Sequence, residues 1–388
     1  MMNLAYVTTY DASRLSGSNE WSGTGYYIAQ ALKNQAINLD YLSPLIEPLG
    51  LNGILKTKRI YHKLVDGTNY QSDPNPLRLR SYAEQLRTKI DRSPTSLDIV
   101  FSATVNPIAY LECSQPIVFW ADATFANIKD FYPIYSNLSE STIRDWHQME
   151  ALALQKSQLA IYSSDWAAES AIRDYGADPA KVKVVPFGSN IHSPFTSETI
   201  QDEIAARPRD RCKLLFLGVD WLRKGGNIAY EVAKQLNQSG LPTELTIVGC
   251  DPAIDTPIPD FVKPLGFISK ATPAGQNRIG QLLLESHFLI LPTLADCTPI
   301  VFSEANALGV PCLSTTVGGI PTIVRNGVNG QLFAPDSQIS EYCDYIINLF
   351  GDYSNYQALA LSAFNEYESR LNWRVAGQHV RNLLEAIL

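Results

Sequence analysis

Short apolar runs alternate with helical periodicity along most of the chain. The first series of runs predicts buried strands over 4–10, 98–103, 116–122, 159–164 and 181–187. A second series predicts strands over 213–218, 244–249, 287–293 and 310–315. Continuous apolar strands separated by helices are typical of parallel sheets covered on both faces. We therefore predict an α/β protein of two doubly wound, Rossmann-like domains that face each other across a cleft.

A polar stretch separates the two series of strands. Its sequence, TSETIQDEIAARPRD (196–210), reads as a linker. The pattern thus predicts an N-terminal domain over 1–195 and a second domain over 196–372. The last helix, within 373–388, follows the second series, and we expect that it could cross back to the first domain.

Composition narrows the class of protein. The chain has 388 residues, with 31 Lys and Arg against 39 Asp and Glu, so its formal charge of −8 argues against generic nucleic-acid binding. The cysteines show no CxxC spacing, which favours core thiols in a reducing compartment over a zinc site. No apolar run approaches the roughly 18 residues of a membrane span, and no charged leader precedes the first strand. We expect a soluble, cytoplasmic protein.

Ligands of open parallel sheets bind beyond the carboxyl ends of the strands, so the strand-to-helix loops should carry the chemistry. The loop FLGVDWLRKGG (216–226) presents Arg223 and Lys224 with two glycines before a helix. Two cations beside free backbone N–H groups suit a diphosphate, although a solvated surface pair is the alternative. The loop is not a P-loop, because GxxxxGK[ST] is missing.

The stretch LADCTPIVFSEANALG (294–309) predicts a short helix with Thr298 as N-cap, Pro299 at the first helical position and Gly309 near the C-terminal cap. Its N-terminal N–H groups could receive an anion. Glu304 interrupts the apolar run about one and a half turns into the helix, and a carboxylate there is costly unless it is paired. Either sugar hydroxyls of a ligand or a buried Arg or Lys could satisfy it, and Asp296 lies in the loop just before.

The first domain offers weaker signals. Gly17, Gly23 and Gly25 precede a helix, but they fail the dinucleotide-binding fingerprint, so the loop either closes over a phosphate or acceptor or is merely flexible. Asp122 ends a strand and either points into the cleft or caps a helix. Ser164 ends another strand, where capping is its default role.

Taken together, FLGVDWLRKGG, LTIVGC, DCTPIVFSE, TTVGGIPTIVRNGVNG and VVPFGSN resemble the motifs of the retaining family 4 glycosyltransferases of GT-B fold. The resemblance covers nearly the whole chain and is strongest over 184–335. It implies a donor nucleotide sugar held mainly by the second domain. Lys224 with Arg223 would hold the diphosphate, Glu304 would accept from the ribose, and Asp296 would contact the transferred sugar.

The resemblance also assigns further residues. The turn GFISK (266–270) would border the base, and Asp122 matches an acceptor-side position that is often His in the family. Catalytic roles then fall to Asp122, Arg223, Lys224 and Asp296. The donor-binding set is Gly17, Gly23, Arg223, Lys224, Gly249, Phe267, Ile268, Asp296, Cys297, Thr298, Pro299, Ile300 and Glu304, with Trp21, Asp122 and Ser164 on the acceptor side.

The chain departs from the family motifs at two positions. Asp296 stands where a Glu is usual, and Val219 stands where many members have Arg, a charge that Arg223 would supply. The implied reaction is front-face hexosyl transfer with retention, from UDP-glucose ahead of GDP-mannose or another UDP-hexose. The acceptor would be a glycan or lipid-linked hydroxyl. We expect no cofactor and no metal requirement.

Two other classes of protein fit the sequence less well. A non-catalytic two-domain sugar- or nucleotide-binding protein and an oxidoreductase with two Rossmann-like domains are both disfavoured, the first by the paired cations and the second by the failed fingerprint. Two basic stretches, 56–63 and 78–92, could contact anionic lipid, although the second fits an ordinary solvated helix better.

Overall fold

A computed structural model describes residues 2–15, 23–254 and 257–388. The chain forms two compact units. Unit 1 comprises Met1–Val185 together with Ala376–Leu388, and unit 2 comprises Pro186–Val375.

Unit 1 is built on a six-stranded parallel sheet with the order β2-β1-β3-β4-β5-β6. The strands are β1 (Asn3–Val7), β2 (Asn38–Tyr41), β3 (Ile99–Ser102), β4 (Ile117–Ala121), β5 (Ser157–Tyr162) and β6 (Val182–Val184). The helices of this part of the chain are α1 (Thr24–Lys33), α2 (Leu51–Tyr61), α3 (Pro76–Asp91), α4 (Phe125–Ile128), α5 (Glu140–Lys156) and α6 (Asp165–Tyr175), with a π-helical turn at His62–Asp66 and a 3₁₀ turn at Pro133–Tyr135.

Unit 2 repeats this plan with the order β12-β11-β10-β7-β8-β9, again all parallel. Its strands are β7 (Cys212–Leu217), β8 (Thr243–Val248), β9 (Val262–Pro264), β10 (Phe288–Leu291), β11 (Cys312–Thr315) and β12 (Gly330–Phe333). Its helices are α7 (Thr199–Ala205), α8 (Gly226–Gln238), α9 (Pro273–Leu284), α10 (Ile300–Asn306), α11 (Ile320–Ile323), α12 (Ile339–Gly351) and α13 (Tyr353–Arg370). The last helix, α14 (Trp373–Glu385), belongs to unit 1 from Ala376 onward. The prediction of two doubly wound α/β units is confirmed.

Each of the predicted apolar runs overlaps a strand, but three strands were missed. These are β2, β9 and β12, with the sequences NLDY, VKP and GQLF. All three lie at sheet edges, where a strand has one neighbour instead of two. An edge strand tolerates polar and charged residues, so the apolar pattern that marks a central strand is missing.

The segment 196–210 is not an exposed linker, which corrects the sequence-based assignment. It contains α7, whose Ile200 and Ile204 are fully buried in the core of unit 2. Arg207, just after the helix, is also buried and donates to the carbonyl groups of Leu308 and Gly309 at 2.9 and 2.8 Å. The polar side chains of this segment therefore form the outer face of an amphipathic helix.

The C-terminal helix contributes to unit 1 from Ala376 onward. Gly377 lies so close to α1 that an added Cβ would stand 2.6 Å from the carbonyl oxygen of Ala31. One turn further, Arg381 donates to the carbonyl oxygen of Gln35 at 3.0 Å. The helix is thus packed against the first helix of the chain.

The six cysteines all lie in the described residues and none forms a disulfide. Among those residues, no helix combines the length and the apolar character needed to cross a bilayer. The basic stretch 78–92 lies in α3, where Leu79, Leu86 and Ile90 are buried and Arg78 pairs with Glu47 at 2.7 Å, so it is an amphipathic helix packed on the sheet.

Candidate functional site

The strand order of unit 2 reverses between β7 and β10. Chain order proceeds from β7 through β8 to β9 on one side, and from β10 through β11 to β12 on the other. At such a switch point the loops that follow the two central strands diverge to opposite faces, which opens a crevice at the carboxyl edge of the sheet. The loops after β7 and β10 contain residues 218–225 and 292–299, where the sequence placed most of its candidates.

The two loops are fastened to each other through their backbones. Gly225 adopts φ +78°, and a Cβ there would stand 1.9 Å from the carbonyl oxygen of Pro292, so only glycine fits. The Leu294 N–H and the Thr293 hydroxyl both donate to the carbonyl oxygen of Arg223, at 2.8 and 3.0 Å. These contacts fix the side chains of the first loop relative to the second.

The predicted cations and the first predicted carboxylate meet at this point. The Lys224 ammonium donates to Oδ2 of Asp296, and Nη1 of Arg223 lies 3.9 Å from the same oxygen. Arg223 also donates to the carbonyl oxygen of Ala295 at 2.8 Å. The Lys224 and Asp296 side chains are only 13% and 12% exposed, so this pair is largely removed from water.

The second predicted carboxylate has a partner that the sequence analysis did not identify. Glu304 is completely buried on α10, and both of its carboxylate oxygens accept from the Lys270 ammonium at 2.8 Å. Lys270 closes the GFISK turn after β9, and its side chain is 39% exposed. Because a buried carboxylate needs a partner, the sequence was enough to predict an Arg or Lys as one of two alternatives for Glu304. The spacing along the chain did not indicate that Lys270 is that partner.

Helix α10 begins one residue later than the sequence predicts. Pro299 itself is the N-cap, with φ −68° and ψ 108°, and the first helical residue is Ile300. Thr298 therefore does not cap the helix in the expected way, because the extended backbone of Pro299 comes between them. Cys297 is buried in the preceding loop. At the other end, Gly309 follows the helix with φ +64°, as expected for a glycine near a C-terminal cap.

Three further donor-binding candidates lie along neighbouring strand ends. Gly249 follows β8, and an added Cβ would stand 2.6 Å from the carbonyl oxygen of Gly218, so close backbone packing accounts for this glycine. Its N–H donates to the carbonyl oxygen of Gly266 at 2.9 Å. In the GFISK turn Phe267 is 71% exposed, whereas Ile268 packs partly against the core.

The first-unit candidates lie apart from one another along the chain. Asp122 directly follows β4 and is half-buried, and the N-cap of α4 is Thr124 rather than Asp122. Ser164 is the N-cap of α6 and accepts from the Ala167 N–H at 3.3 Å, which is the capping role that was its default interpretation. Gly23 begins α1 with φ +78°. Gly17 and Trp21 lie outside the described residues.

Glu150 of α5 is a further buried carboxyl group, which the sequence analysis did not identify as a candidate. It is 2% exposed, and it accepts from the Tyr162 hydroxyl at 3.3 Å and from the Phe125 N–H. Burial raises the pKa of Glu150 to about 8, and the nearby charge of Asp122 adds to the rise. The signal was present in the sequence, because Glu150 shares the apolar face of its helix with Trp146 and Met149.

Comparison with known proteins gives a family match for unit 2. Residues 211–352 match the family described as glycosyl transferases group 1. Arg223, Lys224, Lys270, Asp296 and Glu304 all lie inside the matched segment. Among curated proteins, D-inositol 3-phosphate glycosyltransferase of Rhodococcus erythropolis is 24% identical over 243 residues, which cover 60% of this chain and 54% of that protein. The amylovoran biosynthesis glycosyltransferase AmsK of Erwinia amylovora is 27% identical over 179 residues, 42% of each chain.

Solved structures match both units. Sucrose-phosphate synthase from Thermosynechococcus elongatus has a TM-score of 0.69 at 14% identity, covering 100% of this chain and 99% of the other. Anabaena HepE in complex with UDP-glucose has a TM-score of 0.61 at 15% identity, and both chains are covered completely. These likenesses define the fold: two Rossmann-like units of the GT-B class.

The segment that matches the glycosyl transferases group 1 family lies entirely within unit 2. The chain spans about half the length of the curated relatives it matches.

Proposed function

We propose that the protein is a glycosyltransferase that moves a hexosyl unit from a nucleotide diphosphate sugar to a hydroxyl group of a glycan or lipid-linked acceptor. The observation that supports this most is the cluster of Arg223, Lys224 and Asp296 at the switch point of unit 2. Open parallel sheets bind ligands at this point, and two adjacent cations complement a diphosphate. The family match covers the same residues.

The pairing of Lys224 with Asp296 suggests how the donor enters. The diphosphate carries more charge than one carboxylate, so it competes for the Lys224 ammonium and for Arg223. Asp296 is then released to accept hydrogen bonds from hydroxyl groups of the transferred sugar. Glu304 is proposed to act in the same way as Asp296: ribose hydroxyls donate to its carboxylate, and the Lys270 side chain stays at the solvent-exposed side of the pair.

The chemical step breaks the bond between the anomeric carbon and the diphosphate oxygen. The acceptor hydroxyl oxygen forms the new bond on the same face, its proton passes to the departing phosphate oxygen, and configuration is retained. Arg223 and Lys224 stabilise the charge that develops on the leaving group. Asp122 of unit 1 orients the transferred sugar or the acceptor. We propose that no metal ion is needed, since the two cations supply the charge that a metal would otherwise provide.

UDP-glucose is the donor we propose first, and GDP-mannose and other UDP-hexoses are the next candidates. HepE, whose fold this chain shares, has been captured with UDP-glucose. We propose a cytoplasmic reaction, at the inner face of the membrane where the acceptor is lipid-linked.

A donor panel tests this function. The purified protein is incubated with UDP- and GDP-hexoses in EDTA, and release of the nucleoside diphosphate is measured with and without acceptor extracts. Release from one donor class, lost in Glu304→Gln but kept in the exposed α7 control Glu203→Gln, supports the proposal. Donor binding without any release would favour a non-catalytic sugar-nucleotide-binding protein, and an absolute requirement for Mn²⁺ would contradict the metal-independent mechanism.

A further inference from the structure

Helix α2 of unit 1 presents apolar side chains to solvent. Only Leu51 and Leu55 of this helix are buried, and they join Tyr70 in a cluster separate from the main core. At about 100° per residue, Ile60 lies on the side opposite these two residues. It is 50% exposed. In the following π-helical turn, Leu64 is 78% exposed. A surface helix normally shows a polar face to water, whereas this helix exposes apolar side chains together with its polar ones.

Cations border the exposed apolar residues. The segment 51–65 contains Lys56, Lys58, Arg59 and Lys63 and no acidic residue, although the whole chain has a formal charge of −8. Lys56, Arg59 and Lys63 follow the helical spacing of three and four residues, so they line one side of the apolar strip. Lys58 is not part of this row: it lies on the same side of the helix as Leu51 and Leu55, with its ammonium 5.9 Å from the Tyr70 ring.

We propose that this α2 surface, formed by residues 51–65, docks unit 1 on an anionic lipid bilayer. Lysine and arginine stems can lie along hydrocarbon while their charged ends reach lipid phosphates, and the exposed Ile and Leu side chains enter the acyl boundary. The proposal goes beyond the transfer reaction and does not depend on it.

The charge pattern favours a membrane over a second copy of the chain. In a two-fold dimer the same patch would face itself. The Lys and Arg side chains of the two copies would then face each other inside the interface, next to apolar surface that excludes water, and would repel each other. An anionic bilayer instead complements the cations and accepts the apolar side chains at the same time.

Co-sedimentation of the full chain with vesicles tests the proposal. The vesicles contain phosphatidylcholine with or without 30 mol% (about one lipid in three) phosphatidylglycerol. We expect binding only to the anionic vesicles and a loss of binding at high salt, because salt screens the phosphates. The double variants Lys56→Glu/Lys63→Glu and Ile60→Ser/Leu64→Ser should each reduce the partition coefficient by about tenfold or more.

Two double variants at exposed positions outside the α2 surface serve as controls, one for the change in net charge and one for the loss of exposed apolar side chains. Lys263→Glu/Arg278→Glu and Ile134→Ser/Ile347→Ser should bind as the wild type does. The proposal is overturned if wild-type protein ignores anionic vesicles, or if the α2 variants bind as well as the controls. A change of oligomeric state in Ile60→Ser/Leu64→Ser without lipid would instead assign the surface to a second copy. Nucleoside diphosphate release from soluble donor should be unchanged in all four variants.

Discussion

Each unit contains a buried glutamate, and the two are stabilised in different ways. In unit 2, Glu304 is fully buried and a lysine from a neighbouring loop contacts both of its oxygens. In unit 1, Glu150 is held by neutral donors, the Tyr162 hydroxyl and the Phe125 amide, with the charge of Asp122 nearby. A cation stabilises the ionised form of a carboxyl group, whereas burial favours the protonated form; for Glu150 burial outweighs the opposite effect of its two neutral donors on the pKa. The same residue type is therefore a charged ligand-binding candidate in one unit and a proton-holding core group in the other.

Two buried titratable groups, His287 in unit 2 and Glu150 in unit 1, have opposite effects on the pH dependence of stability. Burial lowers the pKa of His287 in unit 2 to about 3, with Arg207 adding to the effect. Its Nδ1 accepts from the Lys213 N–H at 2.9 Å, and its Nε2 lies 2.9 Å from the carbonyl oxygen of Pro208, which fixes the neutral form. The unfolded chain takes up a proton at this residue below the usual pKa of 6.5, so the contribution of His287 to stability is lost as pH falls. The buried Glu150 has the reverse effect.

The largest expected effect is that of breaking the Glu304 pair. Lys270→Met should lower the free energy of unfolding by about 3 kcal/mol, because it leaves a buried carboxylate without its cation. Chemical denaturation at constant pH measures this change. The double variant Lys270→Met/Glu304→Gln should recover part of the loss. If the single and double variants are equally stable, the pairing does not compensate the charge of Glu304.

Glu150→Gln tests the other half of the comparison. Below pH 4.5 Glu150 is protonated in both states, whereas between 4.5 and about 8 the unfolded chain ionises and the folded protein does not. Wild-type stability should therefore fall as pH rises through this window, and Glu150→Gln should flatten the fall and be the more stable protein at pH 8. Unfolding free energies at several pH values measure it. Parallel profiles for the two proteins would mean that Glu150 is already ionised in the fold.

The smallest expected effect is that of Ser164→Ala. Loss of the N-cap of α6 should cost about 1 kcal/mol of stability and leave the turnover number for soluble donor unchanged. Ser164→Asp, which also caps, should recover the stability. Normal stability with a large loss of turnover would instead assign Ser164 to the acceptor side.

Sequence patterns predicted the central strands and the loops of the candidate site. Apolar runs identify strands that have neighbours on both sides, and glycine, proline and paired charges mark the loops that follow them. The edge strands β2, β9 and β12 escaped because each has only three or four residues and polar residues interrupt its apolar pattern. The segment 196–210 escaped because its buried positions, Ile200 and Ile204, are few among polar residues.

Pairings across loops were beyond what spacing can indicate. Lys270 lies 34 residues from Glu304 in sequence, and only the adjacency of loops at one sheet edge brings them together. The Lys224 and Asp296 pair spans 72 residues. The sequence analysis assigned both Lys224 and Asp296 a role in binding the donor. Their contact with each other follows from the strand order, which the sequence pattern does not reveal.

Calorimetric titration with UDP tests the central claim most directly. If Lys224 and Arg223 form the diphosphate site, UDP should bind the wild type, and Lys224→Met should weaken binding by about tenfold or more because a charge-assisted hydrogen bond is lost. Lys263→Met, which removes an exposed lysine of the same unit, should leave the affinity unchanged. Equal UDP affinity in the wild type and in Lys224→Met would contradict the assignment of this loop to the donor.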